Sequence, residues 1–256
     1  MKKVIGAQYY TIRDYCKTLE DFDASCKKVH DIGYTKVQLS GIGDFKGEEI
    51  KPILDKYNLT VSCTHRAPQN YLEDLEGEIK FHKAIGCKVC GIGSMPGFNS
   101  EIATIEEFGK NFSSVCEKLK EHGLVFAYHN HAFEFMKIDG RHAYDVICEN
   151  LKSDNFKLIL DVYWLSFAGI NPAKFIREHK DEIACVHFKD LKVVSNKDVT
   201  FAEVGQGNLD WDDIIAACSE AGVEEILVEQ DSSWANDDPF LSLKMSYDFL
   251  ATKGFN

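Results

Sequence analysis

Glu121-His-Gly-Leu-Val-Phe-Ala-Tyr128 runs from the polar end of a helical pattern, through a glycine, into a short apolar run. The same junction recurs at 31–39, 56–63, 84–92, 153–160, 182–187 and 220–228. At most of these, Gly or Asn stands where a left-handed C-cap would end a helix and turn the chain back as a strand. With the opening run Val4–Ala7, the junctions make eight expected strands. Divided among eight, the 256 residues give 32 each, the size of one strand–helix unit. Apolar residues between strands fall at helical spacing, as in Phe22, Cys26, Val29 and Ile32, or Phe108, Phe112, Val115 and Leu119. Asp21, Thr104, Asn171-Pro172 and Asp238-Pro239 read as helix-start signals. Strict alternation of strand and helix implies a parallel sheet, and eight units favour its closure into a single (β/α)8 barrel spanning residues 1–256. Such compact units leave no room for a long lid, so substrate choice is expected to lie in short loops after the strands.

The composition narrows the partners. Forty-one acidic residues against 29 basic ones leave a formal charge of −12, which argues against nucleic acid, whose phosphates require a basic face. No run approaches the ~20 apolar residues of a membrane span. Met1–Tyr10 carries two lysines and only a short apolar run, so it reads as a first strand and not as a signal peptide. Nine scattered cysteines fit a reduced, cytoplasmic protein, and Cys87 and Cys90, three apart on a strand, point to opposite faces. Gly41-Ile-Gly43 and Gly91-Ile-Gly93 are incomplete dinucleotide fingerprints.

In a barrel of this kind the chemistry sits at the C-terminal ends of the strands. His30, His82, His122, His142 and His179 fall in helical stretches and read as exposed or capping residues, whereas His65, His129, His131 and His187 stand at strand ends. The fifth strand ends in Tyr128-His-Asn-His131, with His129 and His131 on one face. The sixth ends at Asp161. The seventh ends in Val186-His-Phe-Lys-Asp190, with His187 and Lys189 sharing a face. On the eighth, Glu229 and Asp231 do so. Any one of these could be a satisfied polar residue closing a strand. Four consecutive strands ending in metal-competent side chains point to a divalent-metal site.

The order Asp161, His187, the loop Phe201-Ala-Glu-Val-Gly-Gln-Gly-Asn-Leu-Asp-Trp211 and Glu229 resembles the sugar isomerase/epimerase superfamily. These xylose-isomerase-like TIM barrels also include endonuclease IV. The Tyr-His-Asn-His segment looks like the sugar phosphate isomerase/epimerase subgroup and is similar to inosose dehydratases. By this resemblance the metal ligands are His129, Asp161, His187 and Glu229, with His129 standing where tagatose/psicose-type epimerases carry glutamate. The exchange makes the metal a stronger Lewis acid and favours Mn, Co, Fe or Zn over Mg. It also removes one of the two glutamates of a symmetric two-base epimerisation. The extra histidines of the endonuclease IV cluster are missing, since Trp164, Val199 and Phe201 stand at their places.

The activity implied is isomerisation or epimerisation of a sugar through an enediolate formed by taking a proton alpha to a carbonyl. Expulsion of a beta substituent after the same first step would make the enzyme a lyase. It would be either a dehydratase of a keto-cyclitol or keto-sugar, of the inosose dehydratase type, or one eliminating a substituent from a 3-keto glycoside. A non-catalytic sugar-binding barrel is the remaining reading. Glu229 or His131 is the expected base. Lys189 is expected to hold a substrate oxygen or phosphate or to protonate a leaving hydroxyl, or else to pair with Asp161, Asp190 or Glu229. His65, Trp164 and Glu203 are expected substrate contacts, and Trp164, Tyr10 and Phe133 an apolar wall. The expected partner is a small carbohydrate, with pairing of copies of the chain left open.

Overall fold

A computed structural model describes residues 4–99 and 101–256; Met1, Lys2 and Lys3, part of the reading of the N-terminus, lie outside the described residues. Eight parallel strands carry the architecture. They are β1 (Ile5–Gln8), β2 (Lys36–Ser40), β3 (Thr60–His65), β4 (Val89–Ile92), β5 (Val125–His129), β6 (Phe156–Asp161), β7 (Ile183–Phe188) and β8 (Ile226–Val228). Their hydrogen-bonded order is 3-2-1-8-7-6-5-4. β1 pairs with both β2 and β8, so the two ends of the chain meet in the sheet. The circle is nearly closed at β3 and β4, where the Arg66 N–H donates to the Gly91 carbonyl at 2.9 Å. A Cβ on Gly91 would lie 2.3 Å from the Thr64 carbonyl oxygen, so only glycine lets these strands approach. The chain folds as an α/β TIM barrel.

The surrounding helices are α1 (Leu19–Ile32), α2 (Gly47–Lys56), α3 (Leu75–Ile85), α4 (Ile102–Glu121), α5 (Ala143–Asn150), α6 (Pro172–Glu178), α7 (Trp211–Glu220) and α8 (Pro239–Thr252). α1 buries Phe22, Cys26 and Val29, one stripe at helical spacing, against the sheet. Gly33, Gly86, Gly123 and Gly222 all take positive φ, and so does Asn58, as the junctions predict. Asn155 differs: its side-chain amide donates to the Cys116 and Leu124 carbonyls and so ties α4 to the start of β5. Two helix starts also move. Thr18 caps α1, with Asp21 inside the first turn, and α4 begins at Ile102, ahead of Thr104. His82, read as exposed or capping, is buried between the Thr64 hydroxyl and the Glu78 carbonyl.

Strand alternation sorts the side chains. Phe126, Tyr128, Leu158, Leu160, Val186, Phe188, Ile226 and Val228 face the helices. Cys63, Ala127, Ile159, Cys185 and Leu227 fill the barrel interior and are buried. Removing a leucine-sized side chain from water contributes about 1.5–3 kcal/mol, so this plug is a substantial part of the stability. Cys87 stands two residues before β4 and so is not on the strand with Cys90, which corrects the reading of the pair, and all nine cysteines are free.

The connections after the strands are unequal. The one after β7 carries a hairpin, Asp190–Val193 against Val199–Ala202, before α7 begins at Trp211. The expectation of uniformly short loops is therefore corrected. Asp190 holds that connection in place, its carboxylate accepting from the Leu191, Gly205, Gly207 and Leu209 amides and the Trp211 indole N–H. No described helix is long and apolar enough to cross a membrane.

Candidate metal centre

Two residues beyond the interior plug, on the same strand faces, the side chains change character. Ala127 is followed by His129, Ile159 by Asp161, Cys185 by His187 and Leu227 by Glu229. Because strand side chains repeat every second residue, these polar side chains face the same interior as the plug, one layer above it. The four polar side chains are buried and each turns one donor atom inward, all within 4.8 Å of one another. Asp161 and His187 are direct neighbours in the β6–β7 register.

Each donor is held from behind. His129 Nδ1 lies 2.9 Å from the Gly93 carbonyl, to which it donates, so Nε2 faces Asp161 Oδ2 at 3.3 Å. His187 Nε2 donates to Gln38 Oε1 at 2.6 Å, which turns Nδ1 toward Glu229 Oε2 at 3.0 Å. Asp161 Oδ1 accepts the Tyr163 and Trp164 amides at the start of the short helix Val162–Phe167, leaving Oδ2 for the cluster. The Asn130 side chain accepts the Asp161 N–H and sets where β6 ends. Outer hydrogen bonds that fix imidazole orientation and leave a lone pair inward are the arrangement that metal-binding histidines need. The donor set therefore fits a divalent ion.

Lys189 completes the charge pattern. Its Nζ lies 2.8 Å from Asp231, 3.2 Å from Glu229 and 3.4 Å from Asp161, and it does not pair with Asp190. With both imidazoles neutral, as metal ligands must be, three carboxylates against one ammonium leave two net negative charges, which a divalent cation would cancel. Burial opposes ionisation of Asp161 and Glu229, but Lys189 together with His129 at Asp161 and His187 at Glu229 outweighs it and holds both below the usual carboxylate range. Burial and the neighbouring Glu229 instead raise Asp231, to about 6. His187 is opposed by burial but driven up to about 10 by Glu229 and Cys185 together. Burial and the nearby His129 push His131 down to about 3 and His65 well below the ordinary imidazole value, so both are neutral.

Above the cluster lies a cavity of about 280 Å3 walled by Tyr10, Ser40, His65, Ser94, His131 and Asp231 among others. His65 Nε2, His131 Nδ1 and Asp231 Oδ1 are buried there without a hydrogen-bond partner. Phe133 stacks on His131 at 5.4 Å, and Trp164 packs on it at 5.2 Å with its indole N–H also unpartnered. The structure thus brings together His65, His129, His131, Asp161, Trp164, His187, Lys189 and Glu229. It does not bring in Glu203, whose Oε1 accepts from Ser242, the Ala235 amide and Gln230. That carboxylate ties the β7 and β8 connections together. Gln38 joins the site unanticipated, and Asp231, expected only to share a face with Glu229, joins it as a partner of Lys189. Their signals were present: a polar residue inside Val37-Gln38-Leu39, and an aspartate two positions past Glu229.

A parallel eight-stranded barrel with a mixed histidine–carboxylate cluster at the strand ends defines a class of protein. The family model for the xylose isomerase-like TIM barrel matches residues 26–241, and the chain belongs to that family. It is 22% identical over 261 residues to the rhizopine catabolism protein MocC of Rhizobium meliloti, covering 88% of this chain and 79% of that one. A sugar phosphate isomerase/epimerase from Parabacteroides distasonis superposes with a TM-score of 0.80 at 20% identity, covering 97% of this chain and 93% of that one. The IOLI protein, solved with a zinc atom bound, gives 0.71 at 15% identity over the whole of both chains. At these identities the two structures share the fold.

Proposed function

We propose that this chain is a divalent-metal-dependent isomerase or epimerase of a sugar-like ketone, acting by proton removal alpha to the carbonyl. The observation that supports it best is the set of four inward donor atoms, two of them imidazole nitrogens anchored from behind by Gly93 and Gln38. A divalent ion held by His129, Asp161, His187 and Glu229 would stabilise negative charge developing on the substrate oxygen.

The chain's own residues divide the remaining work. Asp231 and Glu229 are the carboxylates on the cavity wall that can take the proton, and Asp231 Oδ1 is the buried oxygen with no partner. Neutral His65 and His131 offer hydrogen bonds to substrate hydroxyls, each with one unpartnered ring nitrogen. Tyr10, with the Arg13 guanidinium 4.3 Å over its ring, forms the mouth. Phe133 and Trp164 hold His131 in place and exclude water behind it.

The Lys189 ammonium on the same wall supports a second reading, in which it protonates a departing beta hydroxyl and the product is an unsaturated or diketo sugar. Metal analysis of the purified chain, followed by NMR of deuterium uptake from D2O into fructose, tagatose, sorbose and a keto-inositol, tests both. Reversible exchange at the carbon beside the carbonyl is expected, with Mn or Co bound. A new enone or diketone absorbance would select the lyase. Metal bound without exchange overturns proton abstraction, and absence of bound metal leaves a sugar-binding barrel.

A further inference from the structure

The cavity over the cluster is not isolated. A second cavity of about 250 Å3 adjoins it, with His65 in both walls and Leu39 and Gly41 flanking Ser40 of the first. It runs between the β2 loop, Gly41–Asp44, and the start of the β3 loop, Arg66–Asn70. Beyond Arg66 and Asn70 it widens into a groove of about 420 Å3 beside α2 and α3. Pockets for bound small molecules run from about 300 to about 1,000 Å3. The cluster cavity alone falls below that range, and with its neighbour it lies well inside it.

The charges along this path exclude an anion. Lys189, the one lysine or arginine in the cluster cavity wall among the described residues, is ion-paired with three carboxylates. Arg66 is locked on Glu78, its Nε 3.0 Å from both carboxylate oxygens, with its guanidinium 4.4 Å over the Phe81 ring. The outer groove sets five carboxylates, Asp44 and Glu73 among them, against Lys46, Arg66 and Lys80. The Gly205 and Gly207 amides, the other place a phosphate could sit, already donate to Asp190. What the path does offer is hydrogen-bonding capacity: the Asn70 side chain, held by its Nδ2 on Glu78 at 2.9 Å with its Oδ1 left over, and the exposed Asp44 carboxylate.

We propose that the substrate is an unphosphorylated glycoside, with its keto ring over the cluster and a neutral, hydroxyl-rich second ring beyond His65, between Gly41–Asp44 and Arg66–Asn70. This rests on the reading of the cluster as a ketone site and adds the substrate class. Ala67 is exposed and lines the side cavity, so Ala67→Trp fills that cavity without disturbing the barrel.

The test is calorimetric titration of the metal-loaded full chain with fructose, fructose 6-phosphate and the ketose disaccharides turanose, maltulose and palatinose. At least one disaccharide is expected to bind about 10-fold or more tighter than fructose, and fructose 6-phosphate no tighter than fructose. Ala67→Trp, with unchanged circular dichroism and metal content, should abolish the disaccharide advantage and leave fructose binding within about twofold. No disaccharide advantage, tighter binding of the phosphate ester, or equal loss of all ligands in Ala67→Trp overturns the proposal. Deuterium exchange, read separately, keeps the two conclusions apart. Disaccharide preference without exchange defeats the catalytic reading alone. Exchange without preference defeats the glycoside subsite alone.

Discussion

Two layers of the barrel interior lie one strand repeat apart and could hardly differ more. The lower, built by Cys63, Ala127, Ile159, Cys185 and Leu227, is apolar. The upper, His129, Asp161, His187 and Glu229, is a buried ionisable cluster. A third step along the same faces brings His131, Lys189 and Asp231 to the cavity wall. The lower layer excludes water and gives the upper one a rigid floor. Buried charge is tolerated above it because every charged group has a partner and each imidazole is anchored. Stability and chemistry are thus separated by about 7 Å of strand, two residues at ~3.3 Å each.

Substitutions in one layer should leave the other's property intact. The largest effect is expected from Asp161→Asn, which keeps an Oδ1 acceptor for the Tyr163 and Trp164 amides but removes the inward negative charge. Metal affinity should fall by at least about 100-fold, since outer-shell changes alone cost 10–100-fold. Titration with Co or Zn measures this, and the folded spectrum should be unchanged. In the lower layer, Leu227→Ala should cost about 2–5 kcal/mol in denaturant unfolding while the metal content stays that of the parent. Metal loss in that variant would show that the two layers are not separable.

A finer test is Gln38→Leu, which removes the acceptor behind His187 and leaves all four inward donors present. Metal affinity is expected to drop by about 10-fold, with the deuterium-exchange rate at saturating metal falling less. An unchanged affinity would mean that His187 needs no anchor. The smallest expected effect is at Glu134, whose carboxylate accepts from the Tyr128 hydroxyl and the His131 amide. Burial raises its pKa from 4.5 to about 7. The folded state therefore holds this proton to higher pH than the unfolded chain does. Its contribution is full below about 4.5 and is lost as pH rises through about 7. The thermal midpoint should fall by a few degrees between about pH 5 and pH 8, and the fall should be shallower in Glu134→Gln.

Much of this was readable along the chain because the governing rule is local. The alternation that buries Leu158, Leu160, Val186 and Phe188 against helices also forces Asp161 and His187 inward, and the glycine junctions count the strands. The readings that shifted depended on neighbours distant in sequence. Glu203 looked free to meet a substrate until Ser242 and the Ala235 amide approached it. Asp190 looked like a partner for Lys189, but it is occupied by the loop from Leu191 to Trp211. Gln38 carried a faint signal, a polar side chain in an apolar strand, yet nothing nearby in sequence says that it meets His187, 149 residues away.

By itself, then, the sequence determined the number of units, the strand faces and the chemical character of each strand end. All three follow from backbone geometry that repeats every two or 3.6 residues. Only the tertiary structure decided which of those ends converge, because closure of the sheet sets the distances between β5, β6, β7 and β8. It also decided that Lys189 answers three carboxylates at once and that a second cavity lies on the other side of His65, toward Arg66. Those are properties of side chains meeting across a barrel, and no local period contains them.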